Sequence, residues 1–323
     1  MKNLSRVCLT TVGIIFWGLI IAACSSAPLI TQSVPPTSTI SPSPVPTTPP
    51  TPTSQPTSSA LFEYDPTIPF GLNEGAVTVR DGVSVHDINY ASVAKGRLPA
   101  YLVVPPGKGP FAGVVFMHWL GAPNGNRDEF LDESVVLAKQ GIVSLLVQGQ
   151  FPWLQPPSGA DADRVQVINQ VVELRRALDL LISQPNVDPK RIGYVGHDYG
   201  AMFGGILSGV EKRIKAYCLM AGTPSFSDWS LTYWSFAKTD DEKAAYRKAM
   251  DSLDPIHYVP NAKPAAVFFQ FAKNDRFIPE SAATDFYSAA SEPKQIKQYD
   301  ATHSLDAAAQ TDRMEWLLEQ LKP

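Results

Sequence analysis

Beyond residue 60, short runs rich in β-branched and aromatic residues alternate with longer stretches whose apolar positions recur at helical spacing. Val83 to Tyr90 and Leu98 to Val104 read as an antiparallel opening pair. Gly113 to His118 and Ile142 to Val147 are apolar almost throughout, the pattern of parallel strands covered on both faces. Arg191 to Val195, Ile214 to Met220, Ala265 to Phe271 and Gln295 to Tyr299 supply four more. Helices are predicted over Arg127 to Lys139, Asp163 to Ser183, Gly200 to Ser208, Pro279 to Ala290 and Ala307 to Leu321. Eight strands with helices between them imply an α/β domain, a mostly parallel sheet flanked by helices. One segment, 223–262, breaks the alternation. It carries Phe226, Trp229, Tyr233, Trp234, Phe236 and Tyr246 beside the charged run Asp240-Asp241-Glu242-Lys243. It is expected to form a small aromatic-rich cap over the strand ends.

The chain has 323 residues, and the first 60 follow other rules. Lys2 and Arg6 precede an apolar stretch too short for a confident membrane span, the layout of a secretory signal. It ends in Ile21-Ala22-Ala23-Cys24, which resembles a bacterial lipobox. The resemblance implies cleavage after residue 23, a lipid on Cys24, and a protein exported and anchored to the membrane. Residues 24–60 are dominated by Ser, Thr and Pro and bury no core, so they are expected to be an extended tether before a folded domain over 61–323. Cys8 leaves with the signal and Cys24 takes the lipid, so Cys218 stands alone in an apolar run, where packing is its expected use. The formal charge is −4, and loss of Lys2 and Arg6 takes it to −6. With no basic cluster, nucleic acid is excluded as an expected partner.

Candidate chemistry centres on Gly196-His197-Asp198-Tyr199-Gly200, between a predicted strand and a small-residue helix. This is the pattern of a nucleophile elbow, with Asp where Ser usually sits. A carboxylate adding to an acyl carbon yields a reactive anhydride, whereas attack on an sp³ carbon yields an ester that activated water can hydrolyse. Asp198 thus points toward C–halogen or epoxide C–O cleavage. A later acid and a His should then follow in chain order. Asp275 lies in the turn after the seventh predicted strand and His303 just past the eighth. Asp275 is expected to orient His303, and His303 to deprotonate a water aimed at the Asp198 ester. The oxyanion donors are expected to be the N–H groups of Tyr199 and Trp119. His118 is expected to anchor the Trp119 loop and, with Trp229, Tyr233 and Trp234, to belong to the pocket. His197 as a rival base and Asp300 as a rival acid are weaker by position. The scheme needs no metal and no cofactor.

From Val85 to Leu321 the chain resembles the dienelactone-hydrolase-type branch of the α/β-hydrolase superfamily, in Ala100-Tyr101-Leu102-Val103-Val104-Pro105 and Val172-Glu173-Leu174-Arg175-Arg176-Ala177-Leu178-Asp179. The elbow itself is similar to the Gly-x-Asp-x-Gly of epoxide hydrolases and haloalkane dehalogenases. The first resemblance implies ester or lactone substrates, but with a Cys or Ser nucleophile that this elbow lacks. The second implies a covalent ester on Asp198. It also implies a halide cradle that Trp119, Trp229 or Trp234 would supply, or a proton-donating hydroxyl from Tyr233 or Tyr258. The leading expectation is a hydrolase of a small organic molecule acting through Asp198, His303 and Asp275. Hydrolysis of carboxylic esters or lactones is the alternative, and a non-catalytic, ligand-binding surface lipoprotein is a third reading.

Overall fold

A computed structural model of the chain describes residues 59–120, 126–150, 159–233 and 237–323. The expected signal, Cys24, nearly all of the tether and Trp234 lie outside the described residues. Nine strands form one sheet among them: β1 (Asn73–Arg80), β2 (Val83–Ala91), β3 (Arg97–Val104), β4 (Phe111–Met117), β5 (Ile142–Val147), β6 (Val187–His197), β7 (Ala216–Met220), β8 (Ala266–Ala272) and β9 (Lys294–Tyr299). Their order is β1-β2-β3-β5-β4-β6-β7-β8-β9. The first three strands and the β3–β5 junction are antiparallel, and every pairing from β5 to β9 is parallel.

The sheet has one strand more than the eight expected. β1 has no buried residue to betray it. It is held by its register with β2, from Asn73 opposite Asn89 to Arg80 opposite Val83. The inner strands behave as their composition requires. In β4, Val115 and Met117 enter one apolar core while Ala112, Val114 and Phe116 enter the other. An all-apolar strand is thus a two-faced strand of period two, covered on both sides.

Helices α2 (Ala160–Ile182) and α3 (Tyr199–Val210) cover the first face, and α1 (Leu131–Lys139) and α7 (Ala307–Gln320) the second. Cys218 is a free, buried member of the second core. Between β7 and β8 the chain forms α4 (Phe226–Tyr233), α5 (Asp240–Met250) and three single 3₁₀ turns. Thr239 and Glu242 close a capping box at the start of α5. Tyr246 of α5 is tied to α2 by a 2.8 Å hydrogen bond to Asp163. α6 (Glu280–Ala289) joins β8 to β9.

Candidate active site

The carboxyl ends of four parallel strands converge: β4 leads to Trp119 and Leu120, β6 to Asp198, β8 to Asp275 and β9 to His303. Asp198 sits between β6 and α3 with φ 55° and ψ −114°, a conformation an L-residue seldom adopts. The turn closes only because its flanks lack side chains. A Cβ on Gly196 would stand 2.2 Å from the Gly200 carbonyl oxygen, and one on Gly200 would stand 2.3 Å from that of Met117. The Asp198 N–H is pinned to the Met220 carbonyl at 2.8 Å, which ties the elbow to β7.

The two oxygens of Asp198 have different surroundings. Oδ2 accepts the Leu120 N–H at 3.3 Å, and the Tyr199 amide also favours the ionised carboxylate. Oδ1 is buried without a hydrogen-bond partner and lies 3.8 Å from His303 Nε2, beyond bonding distance. Burial pushes the carboxyl up to about 7, against the pull of the His303 charge and of the two amides. On the far side of the ring, His303 Nδ1 donates to Asp275 Oδ2 at 2.8 Å. The other Asp275 oxygen accepts the amides of Phe277 at 2.8 Å and Ile278 at 3.1 Å. One carboxylate therefore serves both as a turn former and as the partner of His303. Burial opposes its charge, but the His303 contact and these amides prevail and hold its carboxyl below the usual range. Asp300, the rival acid, accepts from Asn274 instead.

The structure redirects several of the expectations. Trp119 does not offer its N–H to Asp198, because that N–H donates to Glu129 Oε2 at 2.9 Å. The donor is Leu120, one residue on. His118 is 1% exposed and lines no part of the cavity. Its Nδ1 donates to the Trp119 carbonyl and its Nε2 accepts the Gly149 N–H, so it braces the loop, and burial lowers its basicity. Tyr233 turns its hydroxyl to the Phe277 carbonyl at 2.7 Å and lies outside the cavity over Asp198 and His303, in a neighbouring groove. Tyr258 is buried, with its hydroxyl on the Ser252 carbonyl. His197 faces Glu129 and the His303 carbonyl rather than Asp198.

A cavity of about 460 Å³ opens over Asp198 and His303, a size suited to a small molecule. Trp119, Leu120, Trp229 and Phe277 give it an apolar wall, and Asn274, Arg276, Thr302 and Ser304 a polar rim. Trp229 lines it as expected, and its indole N–H is buried without a partner. Glu129 carries no signal in the sequence pattern. Leu120 sits in the same loop after β4 as Trp119, where position alone predicts a donor.

No protein-family model matches the chain, and no curated protein matches it. Among solved structures it is similar to acetyl xylan esterase 1 from Thermoanaerobacterium sp., with 16% identity and a TM-score of 0.66 over 82% of this chain and 92% of that one. An acetyl xylan esterase from Paenibacillus sp. aligns with 17% identity and a TM-score of 0.65, over 81% and 92% of the two chains. A cold-adapted esterase from an Arctic intertidal metagenomic library follows at 13% and 0.58, over 77% and 100%. At such identities the likeness is one of fold, and the chain has the α/β-hydrolase fold.

Proposed function

We propose that this protein is a hydrolase of a small organic substrate, in which Asp198 attacks an sp³ carbon and carries the substrate as an ester. The observation that carries this reading is the asymmetry of Asp198, with Oδ2 accepting the Leu120 N–H and Oδ1 without a hydrogen-bond partner 3.8 Å from His303 Nε2. In the first step Oδ1 forms a bond to carbon and the leaving group departs with its electron pair. In the second, His303 Nε2 takes a proton from water, and the resulting hydroxide adds to the Asp198 carboxyl carbon. Charge collects on Oδ2, where the N–H groups of Leu120 and Tyr199 stabilise it. Collapse breaks the bond between the carboxyl carbon and Oδ1, the departing alkoxide takes the proton from the His303 imidazolium and leaves as the alcohol, and the new carboxyl, with one oxygen from water, loses its proton to restore the carboxylate. Asp275 holds the ring and stabilises the imidazolium.

Within sp³ chemistry, both expected proton-donating hydroxyls are committed elsewhere, Tyr233 to the Phe277 carbonyl and Tyr258 to the Ser252 carbonyl, so a leaving group that needs no proton, such as a halide, suits this site better than an epoxide.

Cleavage of carboxylic esters is the second reading, favoured by the esterases among its structural neighbours. It needs Asp198 or His303 to activate water directly, with the Oδ2 cradle vacated for the substrate carbonyl.

Turnover of the full chain against haloalkanes, epoxides and activated esters in ¹⁸O-water separates the readings. The covalent route is expected to place label in the peptide containing Asp198, and His303→Gln to leave a stable adduct mass on it. Product formed with an unlabelled Asp198 peptide would refute the covalent route and leave ester hydrolysis.

A further inference from the structure

His197 and Glu129 have no part in the chemistry above, yet they are built into the site as firmly as the triad. His197 is 1% exposed, immediately before the nucleophile. A buried imidazole is costly unless both nitrogens are satisfied. Here each faces an acceptor: Nε2 lies 2.9 Å from the His303 carbonyl oxygen and Nδ1 2.5 Å from Glu129 Oε1. A carbonyl can only accept, so Nε2 carries a proton, and the short Nδ1 contact to a carboxylate requires a second proton between them. The pair therefore holds an internal charge or a shared proton, between a buried ring and a carboxylate that is 15% exposed. Glu129's other oxygen takes the Trp119 N–H at 2.9 Å. The Trp119 indole lies over the His197 ring, 5.5 Å between centroids and 13° from parallel.

Three strand-end loops are joined by these contacts. Glu129 grips the loop after β4 at Trp119, His197 belongs to the elbow after β6, and its Nε2–H grips the backbone of His303 after β9. The grip on Trp119 also selects the donor, since a Trp119 N–H committed to Glu129 leaves that of Leu120 to meet Asp198. Oxyanion donor, nucleophile and base are thus set against one another by a network whose two titratable members touch no reacting atom.

We propose that Glu129 and His197 are a positioning pair that fixes the Leu120 N–H and His303 in register with Asp198. The proposal rests on the hydrolase reading. Misplacement of reacting groups by about 1 Å costs about 100-fold in rate. Glu129→Gln in the full chain keeps an acceptor for Trp119 but sets a neutral amide against His197 Nδ1. It is expected to lower kcat at least about 10-fold while KM stays within about twofold. A second readout needs no turnover: proton NMR of histidine-labelled protein. The variant should lose the protected His197 Nδ1 proton and shift the His303 Nδ1 proton, although Asp275 is untouched. Glu129→Asp, which keeps the charge on a shorter arm, should move both readouts less, and it replaces Glu129→Gln if that variant does not fold. A kcat within twofold of wild type, or an unmoved His303 proton in a folded variant, overturns the proposal. If the unsubstituted protein turns over nothing, the hydrolase reading fails and the His303 proton alone decides.

Discussion

Asp198 combines two costs at one residue, a strained backbone and a desolvated carboxyl. Its folded value of about 7 lies above an ordinary Asp near 3.9. Between those values the folded protein keeps a proton that the unfolded chain releases, so stability falls as pH rises from about 4 to about 7. Asn removes that charge and can still accept the Leu120 N–H. Asp198→Asn is therefore expected to raise the melting temperature over wild type at pH 8 and to leave it nearly unchanged at pH 4. Thermal unfolding at both pH values checks this, and an equal gain at both would sink the desolvation argument. On the proposed covalent route attack needs the carboxylate, so turnover is expected to fall as pH drops below about 7.

At the scale of elements, one buried ion pair ties helices on the same face of the sheet. Arg313 of α7 donates through Nε to Glu133 of α1, 2.9 Å to one oxygen and 3.1 Å to the other, and through Nη2 as well. Both side chains are buried. Burial pushes the Glu133 carboxyl up, and the Arg313 charge offsets only part of it. Removing one partner strands the other charge, so Arg313→Met is expected to cost about 3–5 kcal/mol in urea unfolding. The double variant Glu133→Leu with Arg313→Met should recover most of that loss. If it is no more stable than the single variant, the pair contributes through packing rather than through its charges.

At the scale of the molecule, we propose that the domain works outside the cytoplasm on a lipid anchor. The N-terminal charges, the apolar stretch, the small residues before Cys24 and the Pro-rich tether support this. At about 3 Å per residue such a tether reaches on the order of 100 Å. Expression of the full chain in a bacterial host is expected to yield a membrane-bound protein carrying a diacylglyceryl mass on Cys24. Cys24→Ala should lose that mass, and wild-type protein without it would refute the anchor. Among the described residues, no helix is long and apolar enough to cross a membrane.

The chain by itself determined the fold class and the meeting of Asp198, Asp275 and His303. An elbow needs glycines where backbones nearly touch, and strands of a parallel sheet all release their loops at one end. Residues after β6, β8 and β9 must therefore gather, whatever the details between them. Those details were decided only in three dimensions. β1 escaped notice because edge pairing, not burial, makes it a strand. Sequence position does not tell which way an N–H points, so Trp119 and Leu120 are equal candidates until Glu129, ten residues away, takes the Trp119 donor. Tyr233 lies in the region of the pocket, but its hydroxyl donates to the Phe277 carbonyl instead. The alternation of strands and helices follows from hydrophobic pattern, which the chain carries residue by residue. The direction of a donor depends on every neighbour competing for it, and only the folded packing assembles those neighbours.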